Sequence, residues 1–271
     1  MMQQLSALAC FDHVEAIKPI VAGLSSQCFQ VNADNKQYFA KQSPTDNEVI
    51  VGKLAATYKI SPKVLYHDQL WLICEFIDGD NLANLSEDEK ITAAIKLMTQ
   101  CHQINLESTK VTELNPQQIT KTLIEQSHFA NKKKVALAQL ANSLLSQLPN
   151  ASNQVVCHGD INFSNILISP KNKAWLVDFE CTCIAPREYD LAMFIAVNNI
   201  DENKISTIIS QYQRLSLPIK IELKLLYSYL AFSYFINSLW YAHAYQNSND
   251  TTFINLQKQQ WQQYISLVAN K

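Results

Sequence analysis

The sequence predicts an α+β protein of two lobes: a small β-rich lobe over residues 1–78 and a larger, mainly helical lobe over residues 79–271. Two observations carry this. In the first third, short apolar runs alternate with turn residues, the pattern of hairpin strands. After Asp78-Gly79-Asp80 the texture changes to long segments of helical periodicity, with no internal repeat or low-complexity linker. Ligands favour the cleft that such a two-lobed division creates.

The elements follow in order. "CFQVNA" and "QYFAKQ" read as strands joined by an Asp34-Asn35-Lys36 turn. "DNEVIVGKLAATYK" reads as a helix with Asp46 or Asn47 as its N-cap. "KVLYHDQLWLICEF" suggests two more strands around His67-Asp68-Gln69. Helices are expected over residues 86–104, 115–129 and 132–148, followed by two short strand-bearing motifs and then helices to the end, with Pro218 near the start of the longest.

Composition narrows the class. Hydrophobic residues at 48% against 17% charged residues specify a globular chain with an ample core. A net charge of -2 gives no general attraction to nucleic acid or anionic lipid. Seven scattered cysteines, an odd number, point to reduced thiols in a cytoplasmic protein rather than a disulfide framework, and zinc spacing is missing around Cys157, Cys181 and Cys183. The N-terminus lacks the basic n-region of a signal peptide. Leu225 to Asn249 carries no Asp, Glu, Lys or Arg, yet Ser228, Ser233, Asn237, Ser238 and His243 interrupt it, so it is expected as a buried helix rather than a membrane span.

The chemistry concentrates in "VCHGDINFSNILI" (Val156 to Ile168) and "AWLVDFECT" (Ala174 to Thr182). Polar residues this dense between apolar runs usually make a surface turn. Here, however, Asn165 follows Asp160 by five residues and Asp178 follows Asn165 by thirteen, and the two motif pieces follow the apolar runs Val155 to Cys157 and Trp175 to Val177. A hairpin of "ILI", Ser169-Pro170-Lys171-Asn172-Lys173 and "AWLV" would return Asp178 beside Asn165. Two oxygen donors brought together in this way suit Mg²⁺, which takes few protein ligands and completes its octahedron with water and phosphate oxygens. Asp160 would then be placed to accept a proton from an incoming hydroxyl.

"HGDINFSNILI" with "VDFE" resembles the aminoglycoside phosphotransferase and choline kinase family, whose fold is protein-kinase-like and in which His-Gly-Asp replaces His-Arg-Asp. The resemblance extends over most of the chain and implies ATP as phosphoryl donor. It makes Asp160 the catalytic base and Asn165 and Asp178 the Mg²⁺ ligands, with Glu180, which alternates with Asp178, beside them. "GLSSQCFQV" resembles the phosphate-covering loop, with Ser25 and Ser26 as donors to phosphate oxygens, although it has one Gly where protein kinases have three. "YFAKQ" assigns the nucleotide-anchoring lysine to Lys41. Glu48 matches the acid that holds this lysine, with Asp46 as a competitor. "LICEFIDG" resembles the lobe connection, where backbone groups of Glu75, Phe76 and Ile77 would meet adenine. In "REYDLAMFI", Asp190 is expected to brace the catalytic loop.

Only eight residues separate Asp178 from Arg187, too few for the activation segment of an enzyme acting on proteins. The expected acceptor is therefore a small-molecule alcohol. "SYFINSLWYAHAY" is similar to the choline-kinase helix that meets a quaternary ammonium; Asn237 stands where a first tryptophan is expected, while Tyr234, Trp240 and Tyr241 supply π faces. The order of "GLSSQCFQV", "ISPKVLYHDQLWLICEFIDG" and "FINLQKQQWQQYISL" is similar to bacterial thiamine kinases. Both point to a cationic alcohol. An aminoglycoside acceptor would call for more carboxylates than the single Glu222 between Ile205 and Gln246. A nucleotide-binding protein without turnover is the alternative from another class, and oligomeric state is open.

Overall fold

The computed structural model describes residues 2–20, 27–105, 110–148 and 153–269. The chain forms two compact units, each built from two stretches: residues 1–112 with 161–183, and residues 113–160 with 184–271. This grouping differs from a single cut near residue 78 in that residues 79–112 and 161–183 cluster with the amino-terminal sheet.

In the first unit, strands β1 (Val14–Ile20), β2 (Cys28–Ala33), β3 (Lys36–Gln42), β4 (Val64–His67) and β5 (Trp71–Glu75) form an antiparallel sheet in the order β1-β2-β3-β5-β4. β1 was not expected from sequence: it is a largely exposed edge strand containing Pro19, so its apolar alternation is weak. The β2–β3 turn places Asp34 and Asn35 at φ 54° and 58°, the left-handed pair that matches hairpin twist. Phe29, Val31 and Ala33 alternate onto one face with Ala40, Trp71 and Ile73, and Leu5 from helix α1 (Met2–Ser6) joins them in a buried cluster.

Helix α2 (Asp46–Thr57) begins one residue earlier than expected. Thr45, not Asp46 or Asn47, is its N-cap, accepting the Glu48 amide. Helix α3 (Glu87–Cys101) opens with a Ser86/Glu89 capping box. Strand β6 (Asp80–Asn81) pairs with β8 (Ile166–Ile168), which pairs with β9 (Ala174–Leu176) in the expected hairpin. Gly79 passes so close to β8 that an added Cβ would lie 2.6 Å from the Ile168 carbonyl oxygen.

The second unit is helical around a two-stranded ladder of β7 (Gln154–Cys157) and β10 (Cys183–Pro186). Helices α4 (Pro116–Gln126) and α5 (Asn131–Leu145) precede the ladder, and α6 (Arg187–Val197), α7 (Ile205–Leu215), α8 (Leu223–Ser248) and α9 (Thr251–Ala269) follow it. The chargeless stretch lies in α8, after the Lys224 of its first turn. It packs against α4, α6 and α9 and buries Leu226, Leu230, Phe232, Phe235 and Leu239, so apolar residues occur all round it. Among the described residues no helix is long and apolar enough to cross a membrane. Buried Gln260 of α9 donates to the Ala196 carbonyl and to Asn199 Oδ1, both at 2.8 Å. None of the seven cysteines forms a disulfide among the described residues.

Gly79→Ala is expected to destabilise the protein by about 1–3 kcal/mol, the usual cost of overpacking against backbone. Chemical denaturation of the purified variant, read as a shift in midpoint at constant slope, checks it.

Candidate active site

Lys41 sits near the end of β3, paired with Leu72 of β5 and with Cys28 of β2. The strand turns its side chain inward, and only 4% of the residue is exposed. Desolvating an ammonium to this degree is costly unless anions surround it. Three do. Lys41 Nζ donates to Glu48 Oε1 at 2.8 Å, Asp178 Oδ1 at 2.8 Å and Glu180 Oε2 at 2.9 Å. Burial alone would push the lysine down, but the charges and hydrogen bonds of Asp178 and Glu48 outweigh it and hold the ammonium above the ordinary lysine value.

The three acids reach Lys41 from different local structures. Glu48 lies in the first turn of α2 and is as buried as the lysine, whereas Asp46 is exposed and takes no part. Burial pushes the Glu48 carboxyl up against the opposing pull of Lys41. Its Oε2 is buried with no hydrogen-bond partner among the described residues. Asp178 follows β9 and adopts φ 65°, ψ 69°, the left-handed region that a non-glycine residue enters only when its surroundings enforce it. Buried Phe179 then starts a 3-10 turn through Cys181 that swings Glu180 back to the same ammonium. Both carboxylates therefore face one point through a turn, not through the strand alternation that the sequence suggested.

Asn165 ends a 3-10 turn at the mouth of the β8–β9 hairpin, and its carbonyl accepts the Val177 amide at 3.0 Å. The hairpin thus brings Asn165 to the residue preceding Asp178, as expected. The donor set is all oxygen, with three carboxylates against one ammonium and Asp178 and Glu180 partly open to solvent. That is the chemistry a hard divalent cation accompanied by phosphate requires.

At the end of β5, the amide of Glu75 bonds to the Lys63 carbonyl and that of Phe76 to the Gln37 carbonyl. These two N–H groups are therefore committed within the unit, and Ile77 begins the segment that leaves the ladder. Gly23, Ser25 and Ser26 lie outside the described residues.

In the helical unit, β7 delivers His158, Gly159 and Asp160. Gly159 has φ 79°, a conformation that favours glycine. Fully buried Asp190 of α6 accepts the amides of His158 at 3.1 Å and Gly159 at 2.8 Å, so it braces this loop. The Asp160 amide donates to His158 Nδ1 at 3.3 Å.

Of the three aromatic candidates on α8, Tyr241 has the clearest relation to Asp160: burial and then the Asp160 charge push its hydroxyl up to about 12. Trp240 is 42% exposed and meets Tyr241 edge-on at 5.3 Å. Tyr234 is buried elsewhere in the unit, with Glu202 and Tyr227 as its electrostatic neighbours, and its hydroxyl is also pushed up to about 12, chiefly by burial. Sequence analysis missed Phe253, which stacks on Tyr241 at 6.2 Å and 22° and meets Trp240 at 6.2 Å. The available signal was an aromatic residue just beyond the helix break at Asn249-Asp250, where Asn249 turns left-handed and starts α9 back along α8.

Replacing Lys41 with Met leaves three carboxylates facing one another. The expected cost at pH 7 is about 2–3 kcal/mol, below a fully buried pair because Asp178 and Glu180 reach solvent. Burial already pushes the Glu48 carboxyl up and Lys41 opposes it, so losing the lysine raises it further and the stability deficit should shrink as pH falls from 7 to 5. Denaturation midpoints across that range test the sign.

A model of the phosphotransferase enzyme family matches residues 16–219. The LicA homolog of Mycoplasma capricolum is 25% identical over 169 residues, covering 62% of this chain and 68% of that protein. Among solved structures, choline kinase LicA from Streptococcus pneumoniae has a TM-score of 0.77 at 20% identity, covering 99% of this chain and 97% of that one. The Plasmodium vivax ethanolamine kinase has a TM-score of 0.70 at 18% identity, covering 92% of this chain and 82% of that one. These likenesses place the two lobes in the kinase-like fold. With the family model spanning most of its length, the chain belongs to the phosphotransferase enzyme family and is a phosphotransferase.

Proposed function

We propose that this phosphotransferase is a cytoplasmic, ATP- and Mg²⁺-dependent small-molecule kinase that phosphorylates the hydroxyl of a small cationic alcohol, choline- or thiamine-like. The observation that carries this is the buried Lys41 ammonium, held at 2.8–2.9 Å by Glu48, Asp178 and Glu180. A positioned cation beside surplus carboxylates is what binding a nucleotide phosphate together with a divalent metal demands.

In this mechanism Lys41 neutralises and orients the donor phosphates, while Glu48 keeps the lysine extended. Asn165 and Asp178, assisted by Glu180, would hold Mg²⁺, which would supply charge neutralisation at the transferring phosphoryl group. Asp160 orients the acceptor hydroxyl and takes its proton; its loop keeps its shape because Asp190 occupies the backbone amides that would otherwise need water. Backbone groups around Glu75, Phe76 and Ile77 receive adenine, with Ile77 the best placed for a new hydrogen bond, and Ser25 and Ser26 cover the phosphates. Tyr241 and Trp240 offer π faces to the acceptor cation, each contact worth about 0.5–2 kcal/mol, with Tyr234 supporting the helix they share.

The relatives support the same direction. LicA of Streptococcus pneumoniae is a choline kinase, LicA has been solved in complex with AMP, and the Plasmodium vivax relative is an ethanolamine kinase. Thiols outside disulfides suit a reducing compartment.

ADP release should be measured with Mg²⁺-ATP against choline, ethanolamine, thiamine and kanamycin. Turnover is expected on one of the cationic alcohols, and Asp160→Ala should lower it by about 10²–10⁴-fold, the usual contribution of a general base. Asp178→Asn should remove most activity while leaving the fold intact. Full turnover by that variant would refute the metal assignment, and turnover on kanamycin alone would replace the acceptor class.

A further inference from the structure

Asn47 is the residue before Glu48 in the first turn of α2, yet its side chain does not cap that helix; Thr45 does that. Instead the amide reaches out of α2. Its Nδ2 donates to Thr112 Oγ1 at 2.8 Å and to the Thr182 carbonyl at 3.0 Å, and its Oδ1 accepts the Thr112 amide at 3.4 Å. These partners fix the orientation of the amide, because the Thr182 carbonyl can only accept and the Thr112 N–H can only donate. Thr182 is the residue that closes the Asp178–Cys181 turn, its own N–H bonding to the Phe179 carbonyl at 3.2 Å. It is also buried, so its carbonyl has little access to water as a substitute.

Asn47 therefore ties together the two segments that deliver carboxylates to Lys41. Glu48 is its immediate neighbour in α2, and Glu180 lies two residues before Thr182. We propose that Asn47 is a positioning residue for phosphoryl transfer: it locks the start of α2 to the Asp178–Glu180 turn so that all three acids stay registered on Lys41. The function of this lock rests on the kinase role proposed above. Small displacements of such supporting contacts are expensive, because charge stabilisation at a transferring group depends on fixed geometry.

The test compares Asn47→Ala, Asn47→Asp and Thr112→Val with the unmodified protein. Measured quantities are affinity for a non-hydrolysable ATP analogue, kcat, acceptor KM and melting temperature, together with backbone hydrogen exchange at residues 46–49 and 179–183. Both Asn47 variants should weaken nucleotide binding and lower kcat by about 10–100-fold, the scale of lost supporting hydrogen bonds, with little change in acceptor KM. Asn47→Asp should be no better than alanine, since it sets a carboxylate oxygen against the Thr182 carbonyl. Thr112→Val, which keeps the Thr182 contact, should lose less. Exchange at 179–183 should accelerate in the Asn47 variants. If only the melting temperature falls while nucleotide affinity and kcat hold, Asn47 is a structural tie and the proposal is overturned. If the unmodified protein binds no nucleotide, the kinase role fails instead; the lock is then decided by exchange alone, and unchanged protection at 179–183 overturns it.

Discussion

One ammonium group organises the amino-terminal unit. Lys41 is drawn out of water by the sheet and kept charged by Glu48, Asp178 and Glu180, which come from a helix and from a turn more than 130 residues further along the chain. A buried lysine without these acids would lose its proton or unfold its surroundings, and the acids without the lysine would repel one another. Sheet, helix and hairpin are thus held to a common point by charge as well as by apolar packing. That requirement explains why a loop residue, Asp178, tolerates a left-handed backbone: the conformation aims its carboxylate at Lys41 and leaves Phe179 free to anchor the turn in the core.

The helical unit solves a different problem. A catalytic-type loop needs exposed chemistry on an immobile backbone. Asp190, buried in α6, supplies the rigidity by accepting two consecutive amides, and Gly159 supplies the turn. Nearby, α8 carries no charge beyond Lys224 in its first turn and is packed on several sides, so its aromatic residues divide by position: Tyr234 sinks into the packing, while Trp240 and Tyr241 meet Phe253 where α9 folds back. Burial and exposure, rather than residue type, separate core aromatics from those available to a ligand.

Much of this was legible in the residues. Turn chemistry at Asp34-Asn35, the periodicity of α3 to α5 and the strand runs around His67-Asp68-Gln69 placed most elements within a few residues. The spacing of Asp160, Asn165 and Asp178 implied the β8–β9 hairpin, which the structure contains. Other features had no local signal. The exposed edge strand β1 lacks the alternation that marks a half-buried strand. The cap of α2 is Thr45 because its hydroxyl, not the carboxylate of Asp46, meets the Glu48 amide.

What the sequence determined by itself was local: the element types, the catalytic-type motif, the absence of a disulfide pattern and a chargeless helix too interrupted for a membrane. Those follow from periodicity, turn preference and composition, which act over a few residues. Only the tertiary structure decided which acids meet Lys41, that Glu180 arrives by a turn, that Asn47 bonds to Thr112 and Thr182, and that Phe253 completes the aromatic group. Most of these join residues far apart in sequence, where no spacing rule operates and the outcome depends on how whole elements pack.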